Sequence, residues 1–316
     1  MKKYQEYLEK IGVPCRDAYD LPCSSHTFAD GGHYRIEISG IERPKVLEAV
    51  IDEANKKKVP LHKLICSVMG ATLLTKQELR EMARIANEYK VEMIMTPGPR
   101  PLWDNGKQIA TPEGALSGMR LRGSDQLNYY IADIFRCLDA GLRGFLVWDE
   151  GALWVLGQMK KDGIIPADTS FKVSIFAGHA NAAGAKVLES LGATTFNPVA
   201  DLSLPQLASI RQASKIPMDI HVQLMDSFGG FNRMWEAPEI ARVCAPCYFK
   251  IEPGASVTSL YKPWVGDQAL ADMAREKVKC AEIIMEFMEE NAPQLKISGK
   301  GASDLAVPKI GEAISK

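Results

Sequence analysis

Ionisable side chains recur at alternate positions of three short, otherwise apolar segments. Those that could perform chemistry are Arg35, Glu37, His221, Lys250 and Glu252. Alternate residues of a β-strand share one face, so each segment predicts a strand with one polar face. Imidazole titrates near neutral pH, and carboxylates and amines nearby can move protons or stabilise charge. We therefore predict Glu37, His221, Lys250 and Glu252 as catalytic residues, with Arg35 steadying negative charge on a bound substrate.

Two further chemistries fit the same residues. Desolvation could lower the pKa of Lys250 enough for Schiff-base formation. A divalent ion such as Mg²⁺, Mn²⁺ or Zn²⁺ could be held by hard oxygens and one imidazole. The candidate metal ligands are Glu37, Asp149, His221 and Glu252. The sequence has no Gly-x-Gly-x-x-Gly fingerprint, so we expect no nucleotide cofactor.

An anion-binding loop is predicted after the segment that contains His221. It reads Phe228-Gly229-Gly230-Phe231-Asn232-Arg233 and opens a helix at about residue 234. Glycine lets the backbone approach a ligand, and helix N–H groups with an arginine attract an anion. We therefore predict a small carboxylated or phosphorylated substrate. The predicted substrate-binding residues are Arg35, Asp149, His179, Asn197, Gly230 and Arg233.

The elements that must position these residues are eight strands separated by helices. The strand segments are 33–38, 61–68, 91–97, 144–149, 171–177, 194–199, 217–224 and 247–252. They recur about every 31 residues, which is typical of a (β/α)₈ TIM barrel. A doubly wound open sheet is the alternative, disfavoured by the even spacing and the missing glycine fingerprint.

Helical periodicity and capping residues fill the gaps between the strands. The predicted helices are 43–57, 76–89, 125–140, 181–191, 204–214 and 267–290. Thr75 and Glu78 form a capping box before the second of these, Ser124 is predicted to open the third, and Gly141 to end it.

The apolar face of each barrel strand must meet the helices, so the polar face points into the barrel. The chemistry of such barrels lies at the carboxyl ends of the strands. We expect the upper residues Glu37, His221, Lys250 and Glu252 to form the active site there. The deeper polar residues predict a buried salt-bridge network, made of Lys63, Glu92, Lys172 and Asp219.

Three regions organise the chain. Residues 1–32 are an N-terminal helix and lead-in, residues 33–291 the barrel, and residues 292–316 a C-terminal tail that could pack on a neighbouring subunit.

Residues 98–123 form a long loop with the features of a lid. We read the pair Cys244 and Cys247 as packing residues, because it lies at the entry of the last strand and lacks a second such pair.

Charge and cysteine usage limit the partners. The chain carries 38 Lys and Arg against 39 Asp and Glu, so no overall field attracts nucleic acid or lipid. Seven scattered cysteines are typical of a protein in a reducing cytoplasm. The polar N terminus predicts no signal peptide, and we expect no membrane span. We expect a homo-oligomer that acts on a small anionic molecule.

From about residue 170 to 223 the chain resembles the collagenase-like peptidase family U-32. The matching stretch is HANAAGAKVLESLGATTFNPVADLSLPQLASIRQASKIPMDIHV. Asp201 stands where the family has Glu, and His221 matches a histidine at the end of the seventh strand. The cysteine-containing signature that follows this histidine in the family is replaced by Val222-Gln223-Leu224. The resemblance implies a barrel fold, a role for His221 and peptidase-like hydrolysis.

The sequence therefore predicts a metabolic hydrolase or lyase that uses acid–base catalysis. The alternatives are a peptidase-like hydrolase and a non-catalytic ligand-binding barrel, since fold alone does not dictate chemistry.

Overall fold

Eight parallel strands pair in chain order, and the last pairs with the first. The computed structural model describes residues 2–67, 70–100, 120–224, 230–252 and 264–311. The strands are β1 (Tyr34–Ser39), β2 (Lys63–Cys66), β3 (Glu92–Met95), β4 (Gly144–Val147), β5 (Ser170–Val173), β6 (Thr195–Phe196), β7 (Met218–Leu224), β8 (Phe231–Asn232) and β9 (Cys247–Ile251). β9 pairs with β7 and β1, and β6 pairs with β7, which closes the sheet. β8 is a short antiparallel addition to β7. The (β/α)₈ barrel is confirmed, and the open-sheet alternative is wrong.

Helices follow the strands and surround the barrel. They are α1 (Lys2–Lys10), α2 (Pro44–Lys57), α3 (Lys76–Tyr89), α4 (Gly123–Asp139), α5 (Glu150–Lys161), α6 (Ala182–Ser190), α7 (Leu204–Ala213), α8 (Ala237–Cys244) and α9 (Asp267–Asn291). Each of the six predicted barrel helices is present within two residues of its predicted ends. No helix in the described ranges is long and apolar enough to cross a membrane.

Local capping explains where two of these helices begin. Thr75 Oγ1 accepts from the Glu78 N–H, and the Glu78 side chain accepts from the Thr75 N–H at 2.8 Å, which confirms the capping box of α3. The predicted role of Ser124 was wrong. Helix α4 begins at Gly123, after an extended Arg122, so Ser124 already lies in the first turn.

The main hydrophobic core lies between the barrel and its helices. Ile36, Ile38, Phe249 and Ile251 are fully buried and face outward from adjacent strands β1 and β9. Each such side chain contributes about 1.5–3 kcal/mol through removal of apolar surface from water. The alternate residues of the same strands must therefore point inward, which is the arrangement that the two-residue period predicted.

Residues from both ends of the chain cover the N-terminal end of the barrel. Ile297 forms a parallel bridge to Tyr34, and the Ser298 N–H donates to the Tyr34 carbonyl at 3.0 Å. The Ser298 hydroxyl donates to Asp30 Oδ1 at 3.0 Å. The described part of the tail therefore packs on its own barrel; residues 312–316 lie outside the described residues.

Arg35 lies at this N-terminal end of the barrel, which corrects its predicted place in the active site. Its Nη2 donates to Asp304 at 2.6 Å, its Nε to Ser298 at 2.9 Å and its Nη1 to Tyr248 at 3.1 Å. The guanidinium also lies 3.7 Å from the centre of the Phe28 ring. Arg35 lies two residues before Glu37 on the same face of β1. Its side chain is therefore nearer the amino ends of the strands than their carboxyl ends.

His62 joins the barrel to the tail as a buried, neutral side chain. Its Nδ1 accepts from the Ile36 N–H at 3.1 Å, so its Nε2 carries the proton and donates to the Ser298 carbonyl at 3.0 Å. Burial lowers the pKa of His62 to about 4. Protonation would place a second hydrogen on Nδ1, directly against the Ile36 N–H that donates to it.

We predict that His62 makes the protein acid-labile between pH 6.5 and 4. The unfolded chain takes up a proton below pH 6.5 while the folded chain does not, so stability falls with pH by up to about 3 kcal/mol. Urea unfolding at several pH values measures this slope. In His62→Gln the slope should shrink, and exposed His26→Gln should follow the wild type. An unchanged slope in His62→Gln would contradict the assignment.

Candidate active site

A network of opposite charges fills the middle of the barrel. The carboxylate of Glu37 on β1 contacts three lysine ammonium groups. Its oxygens lie 2.9 Å from Lys250 Nζ, 3.1 Å from Lys172 Nζ and 3.5 Å from Lys63 Nζ. Lys63 and Lys172 also contact Asp219 of β7. At most 5% of any of these side chains is exposed. Contacts across the barrel confirm that these alternate residues face its interior.

Opposite charges in this network counteract the effect of burial on Glu37 and Lys172. Burial alone would raise the pKa of Glu37, but Lys172, Lys250 and Lys63 hold it well below its usual value. Burial lowers the pKa of Lys172 to about 8, against the opposing attraction of Asp219 and Glu37. Glu92 lies deeper, and burial raises its pKa. The predicted salt-bridge network is therefore confirmed for Lys63, Lys172 and Asp219, with Glu37 as a further charge partner. Glu92 forms no ion pair among the described residues, and its Oε1 has no hydrogen-bond partner there, so its predicted place in the network is not confirmed.

Towards the carboxyl ends of the strands from this network, one oxygen of Glu252 lies within hydrogen-bond distance of three donors. His221 Nε2 lies 3.1 Å from Glu252 Oε1, Lys250 Nζ 3.0 Å and Ser39 Oγ 3.3 Å from the same atom. Glu252 is 17% exposed and is the most open member of the group. Lys250 and His221 hold the pKa of Glu252 well below its usual range, against the effect of burial. The carboxylate is therefore charged at neutral pH.

The contact with Glu252 fixes the tautomer of His221. An ionised carboxylate can only accept, so Nε2 carries the proton and Nδ1 keeps its lone pair. Nδ1 is buried and has no hydrogen-bond partner among the described residues. Burial lowers the pKa of His221, and the Glu252 contact partly offsets this. The pair thus presents a neutral imidazole whose free nitrogen can take up a proton.

Three predicted substrate-binding residues stand at strand ends with structural partners. Asp149 caps α5, where its Oδ1 accepts from the Ala152 N–H at 3.0 Å. His179 Nε2 contacts Glu150 Oε1 at 2.8 Å, in the loop after β5. Asn197 is buried and donates through Nδ2 to the Asp219 carbonyl. They stand at the same end of the barrel as Glu252, and none of their described hydrogen bonds or ion pairs is to Glu252 or His221.

The described hydrogen bonds of Arg233 are to groups of its own chain. Its Nη1 donates to the Leu202 carbonyl at 2.8 Å and its Nη2 to Glu236 at 2.7 Å, which ties the loop after β7 to that after β6. Gly230 adopts a φ of +68°, a conformation that favours glycine. The rest of that loop, residues 225–229, and the predicted Gly254-Ala255-Ser256 turn lie outside the described residues. The same holds for 101–119 of the predicted lid.

The four candidate metal ligands do not assemble into one site. Glu37 faces three lysines, and Asp149 caps a helix on another strand's loop. Within the described ranges no group of three or more His, Cys, Asp or Glu side chains is arranged to hold a metal ion. Cys244 and Cys247 are both buried, and all seven cysteines are free.

The sequence did not point to two features of this end of the barrel. Ser39, the last residue of β1, supplies a hydroxyl to Glu252. Glu150 contacts both His179 and Arg120, which anchors the end of the 98–123 loop beside β4. Small hydroxyl residues and helix-start carboxylates are common in any sequence, so only the fold singles them out.

Comparisons with known proteins return likenesses in structure only. No protein-family model matches the chain, and no curated protein matches its sequence. Among solved structures it is similar to the YdjI aldolase of Escherichia coli K12, with a TM-score of 0.46 and 14% identity over 86% of this chain and 94% of that one.

Two further structures are similar to a comparable degree. The U32 peptidase Mk0906 has a TM-score of 0.42 and 14% identity, over 74% of this chain and 97% of that one. The homocysteine methyltransferase MmuM of Escherichia coli has 0.49 and 10%, over 80% and 98%. Likenesses at this level add nothing to what the strand order establishes, and they indicate no reaction.

We predict that Lys172→Met destabilises the protein by about 3–5 kcal/mol, because it leaves Glu37 and Asp219 short of one buried countercharge. Methionine keeps a similar length, so lost packing contributes little. Urea unfolding compares this variant with Lys161→Met, an exposed lysine that ends α5 and should change stability by less than about 0.5 kcal/mol. Equal effects of the two substitutions would refute the network's role.

Proposed function

We propose that the protein is a metabolic enzyme, a hydrolase or a lyase, that uses His221 for proton transfer at the C-terminal end of the barrel. The observation that carries this proposal is the Glu252–His221 pair. A buried imidazole is hydrogen-bonded to a charged carboxylate through one nitrogen, while the other nitrogen has no hydrogen-bond partner in the described part of the chain. A purely structural histidine normally uses both nitrogens, as His62 does here.

The pair would act in two steps. His221 Nδ1 takes a proton from the substrate or from a water molecule, which creates a nucleophile or a carbanion. The resulting imidazolium keeps its Nε2–H on Glu252, whose negative charge stabilises it. The proton then returns to the leaving group. Hydrolysis and the cleavage of a C–C or C–N bond can both follow from this first proton transfer.

Lys250 would stabilise negative charge that develops on the substrate. Its ammonium bridges Glu37 and Glu252 at 2.9 and 3.0 Å, so it is held in place beside the imidazole. A prepositioned cation in a water-poor site stabilises an oxyanion more effectively than a mobile one. This arrangement supports a carboxylated or phosphorylated substrate.

Membership of the collagenase-like peptidase family is a second candidate. The stretch that resembles it runs from the loop after β5 through α6, β6 and α7 into β7. It ends on His221, the residue that the geometry also selects. Incubation with a panel of unstructured peptides tests this candidate, and cleavage lost in His221→Gln would favour it over a metabolic reaction.

We predict that His221→Gln lowers turnover by about 10²–10⁴-fold, the usual contribution of a general base, without unfolding the protein. A panel of carboxylated and phosphorylated metabolites identifies the substrate first. Thermal unfolding verifies the fold, and His26→Gln serves as the exposed control. Full turnover in His221→Gln would exclude the proposed base, whereas ligand binding without any turnover in the wild type would favour a non-catalytic barrel.

The pH profile gives an independent check. Burial lowers the pKa of His221, so the rising limb of kcat/KM should lie below pH 6.5. Glu252 raises this pKa from its buried value by accepting a hydrogen bond and by its charge. Glu252→Gln should therefore move the limb to still lower pH, and a shift to higher pH would contradict the assigned pair.

A further inference from the structure

A buried lysine on the outer helix α9 has a different environment from the lysines inside the barrel. Lys277 is 5% exposed, and its Nζ donates to the Ser39 carbonyl at 2.6 Å. Lys63, Lys172 and Lys250 each contact two carboxylates within 4 Å. Among the residues described, Lys277 has no such carboxylate partner. The hydrogen bond that the structure describes for this buried amine is to a neutral carbonyl.

The position of Lys277 in the sequence is equally unusual. The buried face of α9 is otherwise apolar, with Leu270, Ala274, Val278 and Ala281 around the lysine. A lysine within such a stripe is costly, because its amine loses water without a carboxylate in direct contact among the described residues.

Lys277 lines a cavity that also reaches Glu252. The cavity has a volume of about 610 Å³. Its described lining residues include Gln223, Ile251, Glu252, Met273, Lys277 and Cys280. Ile251, Met273 and Cys280 provide apolar wall, and the charged residues Asp272, Arg275 and Glu276 line the cavity as well as Glu252 and Lys277. A concave site that combines apolar walls with polar groups can bind a small molecule.

Burial raises the fraction of the Lys277 amine that is neutral. Burial lowers the pKa of Lys277 to about 8, with the charges of Glu252, Glu42 and Cys280 opposing this and that of Lys250 adding to it. At pH 7.5 about a quarter of such amines are neutral, compared with about one in a thousand ordinary lysines. Lys172 has a similarly lowered pKa, but its amine is enclosed between Glu37 and Asp219.

From this geometry we infer that Lys277 is a reactive amine that binds a small aldehyde or ketone as an imine in the cavity beside Glu252. The lysine nitrogen forms a bond to the carbonyl carbon, and the carbon–oxygen bond breaks. The oxygen leaves as water with the two hydrogens that the neutral amine gives up, so no oxidant or reductant takes part. This inference does not depend on the proton-transfer role of His221.

Reductive trapping tests the inference on the whole protein. Glyoxylate, a carboxylated aldehyde, and propanal, an uncharged one, are each incubated with the protein and sodium cyanoborohydride at pH 7.5, and the modified lysines are located by peptide mass spectrometry. We expect Lys277 to be modified about tenfold faster or more than Lys279, an exposed lysine on the same helix. Preference for glyoxylate over propanal would indicate a carboxylated carbonyl compound.

Matched variants complete the test. Lys277→Met should remove the fast adduct and Lys279→Met should keep it, with thermal unfolding as the check on folding. His221→Gln should keep the adduct as well, so a failure of the proton-transfer proposal leaves this result unaffected. If Lys277→Met does not fold, the wild-type rate decides: modification of Lys277 should rise with pH and reach half of its maximum near pH 8.

Three outcomes would overturn the inference. Lys277 could remain unmodified, it could react no faster than Lys279, or the adduct could form mainly on Lys172 or Lys250. In each case the buried amine would be a structural ligand of the Ser39 carbonyl, and the cavity would have no covalent chemistry.

Discussion

The ion pairs of Glu37 constrain the whole barrel. One carboxylate from β1 receives ammonium groups from β2, β5 and β9, in an interior where an unpaired charge would cost several kcal/mol. A shift in the register of any of these strands by one residue would turn the ionisable groups outward and apolar groups inward. The network therefore specifies strand register more sharply than an apolar interior would, because apolar side chains can exchange places at small cost.

The same network connects the closed part of the barrel to the open part. Lys250 contacts Glu37 below and Glu252 above, and Glu252 in turn fixes the tautomer of His221. Each contact removes a degree of freedom from the next side chain. A proton-transfer group gains most from such support, since its nitrogen must already be placed and deprotonated when the substrate arrives. The stability of the buried layer and the proposed chemistry above it are therefore linked through one lysine.

The sequence revealed which residues face the barrel interior, but it did not show how they pair. A two-residue period is a local property, and it correctly placed Glu37, His221 and Glu252 inside. The period gives the face of a residue but not its height along the strand. Arg35 lies two residues before Glu37 on β1, so its predicted place in the active site was wrong although its face was right. Arg233 shows a second limit. Whether an arginine meets a ligand or a carbonyl of its own chain depends on a neighbouring loop that is distant in sequence.

An unusual buried residue such as Lys277 is harder to recognise from the sequence of a helix than from that of a strand. In a strand, one polar residue among apolar alternates is conspicuous, whereas lysine is common on helices and attracts no notice. Its significance comes from tertiary structure: Ser39 gives its carbonyl to Lys277 and its hydroxyl to Glu252. Two ionisable groups thus share one serine at the end of β1. A change of charge on the amine would alter the field at Glu252, and through it the proton affinity of His221. The two parts of this barrel end are chemically separate, but they are electrostatically coupled.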